Sequence, residues 1–584
     1  MAADGRLSDL PDDLLRRILY FAPAKEAAST AVLSRQWREL WHTSGAVNLD
    51  LRSYGPTTSA ALFAKREAFF HGAEAALAAA AAAGGPLTRL TFHVDGDGLH
   101  PADIAGFVTH RQDADGDWAE HDMVRDLLAH PVARRVEELR LRAGAGRDAD
   151  ETYRLSFAAL PSDALRVVHV THAHCTDPPP PPPPPPIAAA FPRLTELELH
   201  GCTTSLTCLQ GMIDAAPLLA TLQLERTRVN GAIDIDSEEA YDDSWPRAER
   251  LYRMRCPAVT ALVLVKCGWP ESMEDLVELD MPMLRYFWFH GPVHPFTLKS
   301  HATKLNLVDL HFTYGAGDGE ELRVAFRRFL QSFCHAKIIK LKLDPRICFL
   351  YAPAKEQDEL LGSSNSLFGE LERLELEACY EPESSTMAAA MASLLRCCPV
   401  LRDLRLKFRK KPNPNLYFGR HHIRSFVESR AQVDFDKSVR PFERRRRRGI
   451  SFGAGDDDEV SDIIPGLSGH SFSCLQKCLR RVSLKFRMQG GLNFFGVQLA
   501  KFFAENALVL EEMEIDDGNL KMHKHVNGVV QGWMANSSKR RGLTKYPQET
   551  PSIQTQRTHQ VPPAPAGKHD GSVIQYSVFS AAIS

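Results

Sequence analysis

The sequence lacks the features of membrane-spanning, secreted and strongly charged proteins. No run of about 18 apolar residues occurs, which argues against a spanning helix. The chain does not begin with a basic stretch followed by an apolar one, so no secretory signal is predicted. A net charge of −3 gives no overall attraction to nucleic acid or to an anionic membrane. Because the 12 cysteines come without a signal, we expect reduced thiols in an intracellular protein, in the nucleus, the cytoplasm or both.

Motifs that carry chemistry are also scarce. No glycine-rich phosphate loop precedes a helix, and no Gly-x-Ser-x-Gly elbow is present. Residues 113–117 begin like a calcium loop, but Trp118 and Val124 occupy the positions that need glycine and a bidentate glutamate. We therefore expect an acidic surface loop there. No catalytic residue is predicted, although a Cys–His pair that meets only in the fold stays possible.

One cluster of residues has the ligand types of a zinc site. It consists of His169, His172, His174 and Cys175. His169, however, lies within a predicted strand and points away from the valines on either side of it. No second Cys/His pair follows at a matching spacing. The sequence therefore predicts neither a metal site nor a cofactor.

The first 50 residues contain the most informative pattern. Apolar residues recur at i, i+4, i+5, i+8 and i+9, which predicts one apolar helix face; they are Leu10, Leu14, Leu15, Ile18 and Leu19. Pro11 suits the first turn of this helix and Pro23 ends it. A second short helix is predicted from Lys25 to Leu33. Ser34 is a plausible N-cap for a third helix, which carries Trp37, Leu40 and Trp41 on one face.

Three short helices bury too little surface to be stable alone, so periodicity by itself favours a helical cap on a larger domain. The order of the residues says more. Leu10-Pro11, the spaced leucines and Leu33-Ser34-Arg35-Gln36-Trp37 together resemble the F-box of plant F-box/leucine-rich-repeat proteins, in which a segment like residues 47–51 follows at once. Gln36 and Ala22 depart slightly from the usual pattern.

This resemblance implies a docking module for the Skp-type adaptor of a cullin–RING ubiquitin ligase. The residues that would face the adaptor or pack the helices are Leu10, Pro11, Leu14, Leu15, Ile18, Leu19, Val32, Trp37 and Leu40. Among these, Leu10, Pro11, Leu14, Ile18 and Trp37 are expected to be buried by the adaptor.

A second pattern, apolar-x-x-apolar-x-apolar, returns along the rest of the chain. It occurs at Leu87-Leu90-Phe92, Val136-Leu139-Leu141, Leu165-Val168-Val170, Leu194-Leu197-Leu199, Leu219-Leu222-Leu224, Val259-Leu262-Leu264, Leu284-Phe287-Phe289, Leu307-Leu310-Phe312, Ile338-Leu341-Leu343, Leu371-Leu374-Leu376, Leu401-Leu404-Leu406, Leu479-Val482-Leu484 and Leu510-Met513-Ile515. Several copies start about 23–30 residues apart, close to the leucine-rich-repeat period.

Each copy predicts a strand, because its last two apolar positions point to the same side. One unit cannot bury its own apolar face, whereas stacked neighbours can. Several copies follow a Cys-Pro or similar step, as at Cys256 and Cys398, whose thiols we interpret as packing residues. The exposed positions between the apolar ones would contact a target; they include Glu196, Glu198, Lys340, Lys342, Arg405 and Lys407.

The remaining segments complete the domain plan. Phe63 to Ala83 predicts a helix closed by glycines, and residues 475–535 resemble the FBD-type segment that ends many plant F-box proteins. The predicted parts are an F-box (5–50), a helical linker (51–86), leucine-rich repeats (87–408) with an exposed polyproline loop (178–186), a disordered charged insertion (409–470), terminal repeats with an FBD-like cap (471–535) and a disordered tail (536–584).

The predicted fold class is thus α/β: a small all-α, three-helix F-box followed by an irregular leucine-rich-repeat solenoid. The resemblance implies a non-catalytic subunit of a ubiquitin ligase that brings a target protein to the Skp-type adaptor and, through it, to cullin. A protein-binding scaffold or a ligand receptor without a ligase role is the alternative. The target is expected to be a protein, and no nucleic acid or membrane partner is expected. The five-arginine run at 444–448 is a candidate nuclear signal, although a solvated charged loop is the favoured interpretation.

Overall fold

A computed structural model describes residues 10–55, 58–95, 99–112, 118–144, 152–160, 163–176, 190–230, 251–269, 276–294, 296–299, 302, 304–313, 319–344, 368–380, 385–410, 467, 470–486, 494–516 and 523–543. The helices are α1 (Asp12–Phe21), α2 (Ala24–Ser29), α3 (Arg35–His42), α4 (Ser59–Ala82), α5 (Pro101–Thr109), α6 (Met123–Ala129), α7 (Leu206–Asp214), α8 (Gly319–Gln331), α9 (Ser385–Cys397), α10 (Ser473–Lys477), α11 (Phe494–Asn506) and α12 (His523–Leu543). The strands are β1 (Ala46–Asp50), β2 (Arg89–Val94), β3 (His110–Gln112), β4 (Trp118–Glu120), β5 (Glu138–Ala143), β6 (Arg154–Ser156), β7 (Val167–Thr171), β8 (His174–Thr176), β9 (Glu196–His200), β10 (Thr203–Ser205), β11 (Thr221–Glu225), β12 (Arg228–Asn230), β13 (Leu251–Arg255), β14 (Ala261–Val265), β15 (Leu276–Asp280), β16 (Tyr286–Pro292), β17 (Phe296–Leu298), β18 (Leu307–Thr313), β19 (Ile338–Leu343), β20 (Arg373–Tyr380), β21 (Asp403–Lys410), β22 (Arg481–Phe486) and β23 (Glu512–Asp516).

The predicted triplets become the strands of one parallel sheet. Its 14 described strands run in the order β1-β2-β5-β7-β9-β11-β14-β16-β18-β19-β20-β21-β22-β23. The register places apolar residues side by side, as with Leu197, Leu222 and Leu262. Because side chains alternate along a strand, these rows all face inward and join one continuous apolar core. The mixed α/β class, with a helical N-terminal region and a strand-rich repeat region, is confirmed.

Two predicted triplets are displaced by two residues. The register pairs Phe287 and Phe289 of β16 with Val308 and Leu310, so the last two repeat positions of β18 are these residues rather than Leu310 and Phe312. In β19 the same positions are Ile339 and Leu341 rather than Leu341 and Leu343. Leu307 is in fact half-exposed on the outward face. Each of β18 and β19 points three apolar residues inward, whereas a triplet places only two on the strand. The triplet pattern therefore matches each of these strands in two positions.

Several strands of the main sheet end in a left-handed residue. The residue directly after the strand has a φ between 49° and 61° in four cases: His172 after β7, Gly201 after β9, Arg226 after β11 and Lys266 after β14. The backbone N–H of Arg226 donates to the carbonyl of Val265 at 2.7 Å, so each turn adds one bond to the ladder. The first three of these turns lead into short strands of a second sheet, ordered β12-β10-β8-β6, and a further sheet has the order β13-β15-β17.

The N-terminal helices follow the sequence signals closely. Pro11 stands just before α1 and Pro23 just before α2, where a missing N–H costs nothing. Helix α2 runs into a 3-10 turn at Thr30–Val32. The hydroxyl of Ser34 accepts a hydrogen bond from the N–H of Trp37 at 3.3 Å, which confirms the predicted N-cap of α3.

Hydrogen bonds fasten these helices to the first strand of the sheet. Asn48 is buried in β1, and its side-chain amide donates to the carbonyls of Tyr20 and Ala22, at 2.8 Å and 3.0 Å. These carbonyls belong to the end of α1, which would otherwise be left unsatisfied. The Arg89 guanidinium of β2 lies over the rings of Tyr20 and Phe21. The helical region is therefore held to the repeats by specific contacts.

Helix α4 packs its aromatic side against the beginning of the sheet. It starts at Ser59, four residues before the predicted start, and Phe69 and Phe70 contact Phe92 and Phe107. Arg66 is buried on this side, and its Nε donates to the carbonyl of Phe107 at 2.7 Å. The tyrosine hydroxyl of Tyr54 packs directly on Gly72, where a Cβ would lie 2.2 Å from it.

The C-terminal part repeats the same strand–helix–strand logic through β22, α11 and β23. The side-chain amide of Asn527 in α12 makes two hydrogen bonds with the backbone of Ile515. Its oxygen accepts from the N–H at 2.9 Å, and its nitrogen donates to the carbonyl at 3.0 Å. Helix α12 continues to Leu543, past residue 535 where the polar tail was predicted to begin. The polyproline run, the acidic loop at 113–117, residues 411–466 and residues 544–584 lie outside the described residues.

Candidate functional site: the N-terminal apolar surface and the outward strand face

The structure divides the nine residues predicted for adaptor docking into an interior and an exterior group. Leu15, Leu19, Trp37 and Leu40 are each at most 3% exposed and form a small separate core with Ala27. The expected contact between Trp37 and the adaptor stays a prediction, since Trp37 does not lie on the exterior of these helices. Trp37 instead holds α3 against α1, because it is the largest side chain of that core.

The exterior group contains Leu14, Ile18 and Val32, which are 49%, 43% and 86% exposed. Pro11 is also exposed, whereas Leu10 is half-buried against the small core. One apolar helix face was predicted, but the helix shows two: Leu15 and Leu19 point inward, and their neighbours Leu14 and Ile18 point to solvent. The partition arises because α3 and β1 cover only part of α1.

Two further apolar residues of this surface were absent from the predicted set. Phe21 is 60% exposed and Leu33 is 64% exposed. A signal existed for Phe21, since Leu14, Ile18 and Phe21 recur at i, i+4 and i+7. We call Leu14, Ile18, Phe21, Val32 and Leu33 the N-terminal apolar surface. Such a concentration of exposed apolar side chains marks a protein-interaction site.

Polar contacts hold the helices that present this surface. The amide of Gln36 donates to the Asp12 carboxylate at 2.6 Å, which ties the start of α3 to the start of α1. Arg16 donates to Asp13 at 3.0 Å. Gln36 is one of the two residues that depart from the usual family pattern, and its amide makes this contact within the module.

The outward face of the strands carries mostly paired charges. Lys407 of β21 donates to Glu377 of β20 at 2.7 Å. The buried Asp403 accepts from Arg373 at 3.0 Å and from Arg405 at 3.2 Å. The predicted target-facing positions are therefore outward and partly exposed, but many of their charges already interact across neighbouring strands.

The residues of the possible zinc cluster do not come together. His169 faces outward on β7, whereas Cys175 is buried in the second sheet beside Cys202. The His169 ring bonds Glu198 at 2.5 Å and lies 3.8 Å from Glu196. These three side chains form the one group of metal-ligand type found in the described residues. The hydrogen bond from His169 lowers the pKa of Glu198. Both ring nitrogens of His169 face carboxylates, Nδ1 that of Glu198 and Nε2 that of Glu196.

The ten cysteines described with their side chains are free thiols. Burial raises the pKa of Cys256, in the Cys-Pro step before β14, to about 12. Such a thiol is almost fully protonated near neutral pH and is a poor nucleophile. Cys256 and Cys398 are completely buried, as expected for packing residues. Among the described residues, no helix combines the length and the apolar character needed to cross a bilayer.

Fold and surface together define a class: a helical module with an exposed apolar surface, fastened to a parallel sheet of repeats. Comparison with known families gives the same division. Residues 7–45 match the F-box domain, and residues 124–285 match the leucine-rich repeats of FBD-associated F-box proteins. The chain therefore contains an F-box followed by leucine-rich repeats of the FBD-associated type. Neither match includes residues 471–535, whose FBD-like character stays a prediction.

Individual relatives resemble short parts of the chain. The putative FBD-associated F-box protein At3g12840 of Arabidopsis thaliana is 51% identical over 46 residues, 8% of this chain and 25% of that protein. The F-box/FBD/LRR-repeat protein At5g22700 of the same plant is 38% identical over 61 residues, 10% of this chain and 14% of that protein. The MEIOTIC F-BOX protein MOF of Oryza sativa subsp. japonica is 49% identical over 49 residues, 8% of this chain and 10% of that protein. The matched segments thus cover at most a quarter of these relatives.

Proposed function

We propose that this chain is the substrate-recognition subunit of an SCF-type (Skp–cullin–F-box) ubiquitin ligase. Its three N-terminal helices bind a Skp-type adaptor, and cullin is reached through that adaptor. The observation that carries the proposal is the N-terminal apolar surface, which lies on the segment that matches an F-box. The other subunits carry out ubiquitin transfer, and this chain needs neither a catalytic residue nor a cofactor.

The exposed side chains, rather than the interior ones, make the adaptor contact. Five large apolar residues lie on α1 and on the turn before α3. Burying one such side chain is worth about 1.5–3 kcal/mol relative to leaving it in water. Leu15, Leu19, Trp37 and Leu40 contribute indirectly, because they keep α1 and α3 together.

The repeats form a solenoid whose outward strand face holds the target protein. The fastening of α1 to β1 and β2 through Asn48 and Arg89 fixes the direction in which that face is presented. Ubiquitin transfer then depends on proximity, since a bound target raises the effective concentration of its lysines near the charged conjugating enzyme. Such a subunit works in the nucleus, the cytoplasm or both.

Co-elution with a purified plant Skp-type adaptor tests the proposal. The unchanged chain is expected to form a stable complex on size exclusion. Leu14→Asp with Ile18→Asp is expected to weaken it about tenfold or more, because two charges would enter the apolar contact. Leu508→Asp is the matched control, since Leu508 is also 49% exposed but lies after α11. Circular dichroism should be unchanged in all variants.

A folded chain that forms no complex would contradict the ligase role. It would leave the alternative, a leucine-rich-repeat scaffold or ligand receptor that binds its partner without ubiquitin transfer. Equal binding by the Leu14/Ile18 variant and the Leu508 variant would instead move the contact elsewhere. Leu10→Ala with Pro11→Ala is expected to abolish binding as well while leaving the repeats folded.

A further inference from the structure

Two adjacent strands near the middle of the main sheet carry no charged residue. The outward residues of β14 are Ala261, Val263 and Val265, and those of β16 are Tyr286, Trp288 and His290. Strand β7 also lacks Asp, Glu, Lys and Arg, but charged strands lie on both sides of it. Here two uncharged strands meet, and Leu307 of β18 extends the apolar area beside Tyr286. Among the described strands, the outward face thus has one place where two uncharged strands adjoin, with Glu225 of β11 beside Val265 and Asp309 of β18 beside Trp288.

Trp288 is the exposed centre of this area. It is 38% exposed, and it is the one strand residue among the large apolar side chains that the described residues leave exposed. Val263 is its partner in the register and is only 6% exposed, although it points outward. A rigid floor therefore supports an accessible tryptophan, the side chain most often found at the energetic centre of protein interfaces.

Two stacked imidazoles lie at the end of this area that is nearest the carboxyl ends of the strands. The rings of His290 and His311 lie 4.0 Å apart, nearly parallel. Burial lowers the pKa of both, in His311 to about 4. Both rings are therefore neutral near neutral pH and extend the uncharged area rather than closing it with positive charge.

Two lysines flank the stacked rings. Lys266 follows β14 directly and Lys342 lies beside His311 in β19, and both act electrostatically on His290. Within the part of the chain that the structure describes, no carboxylate lies within ion-pair distance of either lysine. Glu225 interacts electrostatically with Lys266, and Glu377 is the register neighbour of Lys342. These two carboxylates form their ion pairs with His200 and with Lys407 instead.

We infer that this strand-face patch, Val263, Val265, Trp288, His290 and His311 with Lys266 and Lys342, binds an acidic, extended peptide segment of the target. A large apolar side chain of the peptide packs on Trp288 and Val263. A peptide carboxylate lies between the two lysines. The inference rests on the proposed function, because it states which chemistry the target presents to the repeats.

Strand geometry gives the spacing of the two peptide groups. Trp288 and Lys342 are two strands apart in the sheet and two residues apart along the strand direction. With strands about 4.8 Å apart and a rise of about 3.3 Å per residue, their Cα atoms are separated by about 12 Å. An extended peptide covers that distance in about three to four residues, so the acidic residue should lie two to four positions from the apolar one, given the reach of lysine.

An array of synthetic peptides of about nine residues, probed with the full chain, tests the patch. The central residue is Leu, Phe or Ser, and the residue one to five positions away is Asp, Lys, Ser or phosphoserine in otherwise Gly/Ser sequences. Binding is expected only where an apolar centre and Asp occur together at the stated spacing. Trp288→Ala should reduce this signal about tenfold or more. Lys266→Glu with Lys342→Glu should transfer the preference from Asp to Lys peptides.

Matched controls come from residues with similar exposure outside the patch. Val324→Ala removes an apolar side chain that is 37% exposed on α8, and Lys337→Glu reverses an exposed charge just before β19. Neither should change the array. The inference is overturned by absence of binding to every peptide, by a signal that Trp288→Ala leaves intact, or by binding confined to phosphoserine peptides.

The adaptor experiment separates this inference from the proposed function. Trp288→Ala and the double lysine variant should co-elute with the adaptor like the unchanged chain, since the patch and the N-terminal apolar surface lie on different elements. Loss of peptide selectivity with retained adaptor binding supports both. Adaptor binding without any peptide preference would reject the patch alone, and peptide binding without adaptor binding would reject the ligase role alone.

Discussion

The N-terminal helices and the repeat sheet expose apolar side chains in different ways. The helices have a core of only five buried residues and leave five large apolar residues in solvent. The sheet has a continuous core, and among the strand residues with described burial it exposes one large apolar side chain, Trp288. The small module therefore resembles half of an interface that needs a partner, whereas the sheet buries most of its apolar side chains itself and offers only a local candidate patch.

Trp37→Ala should have the largest effect on this contrast. Removing the main side chain of a five-residue core is expected to cost about 3–5 kcal/mol of local stability, which is enough to unfold α1–α3. Hydrogen exchange should show lost protection in these helices and unchanged protection in β5–β11. Adaptor binding should disappear. Loss of protection throughout the sheet would mean that the two regions unfold as one unit.

Asn48→Ala comes next, because it removes the link between the two regions. The carbonyls of Tyr20 and Ala22 would lose their donor, at a cost of about 1–3 kcal/mol. Helices and strands should each stay folded, but protection at the end of α1 should fall. Asn527→Ala, which breaks a similar pair of bonds at Ile515, is the matched control and should leave α1 unaffected.

The sequence predicted the sheet better than it predicted the surfaces. Leu197 and Leu199 could be assigned to the interior because period-two alternation depends on the local chain alone. The displacement at Leu307 shows the limit of that reasoning, since only the register with β16 decides which of two overlapping patterns is the repeat. Without that register the strand-face patch was invisible: Val263, Trp288 and His311 are far apart in sequence.

For the helices, the difficulty was the width of the apolar face. Leu14 and Leu15 are neighbours in sequence, yet one is half-exposed and the other fully buried. Which of them turns inward depends on how α3 and β1 cover α1, and no local pattern encodes that coverage. Ser34 was predictable because an N-cap is a local contact within four residues.

Ser34→Ala should therefore have a smaller and purely local effect. The N–H of Trp37 would lose its acceptor, and loss of an N-cap costs about 1 kcal/mol. We expect a modest fall in the stability of α3 and a slightly weaker adaptor complex. Ser34→Asp restores an acceptor and should recover most of the loss. Failure of the aspartate to do so would show that the hydroxyl acts in some other way.

The smallest expected effect concerns acid stability of the patch. His290 and Lys342 lower the pKa of His311 electrostatically, whereas Glu377 and Asp344 raise it. Its pKa is lowered from 6.5 to about 4, chiefly by burial, so between these values the unfolded chain binds a proton that the native chain does not. The free energy of unfolding must then fall as the pH drops from about 6.5 to about 4.

His311→Gln removes this proton difference and should make the chain less sensitive to acid in that window. Urea unfolding at about pH 7 and pH 5 measures it, with His71→Gln on the exposed side of α4 as the control. The other lowered groups, such as Glu198 and Glu225, give a background loss in the same direction, which the variant shares. Identical acid sensitivity in His311→Gln and the unchanged chain would mean that His311 is solvated, and the uncharged area of the patch would then end at Trp288.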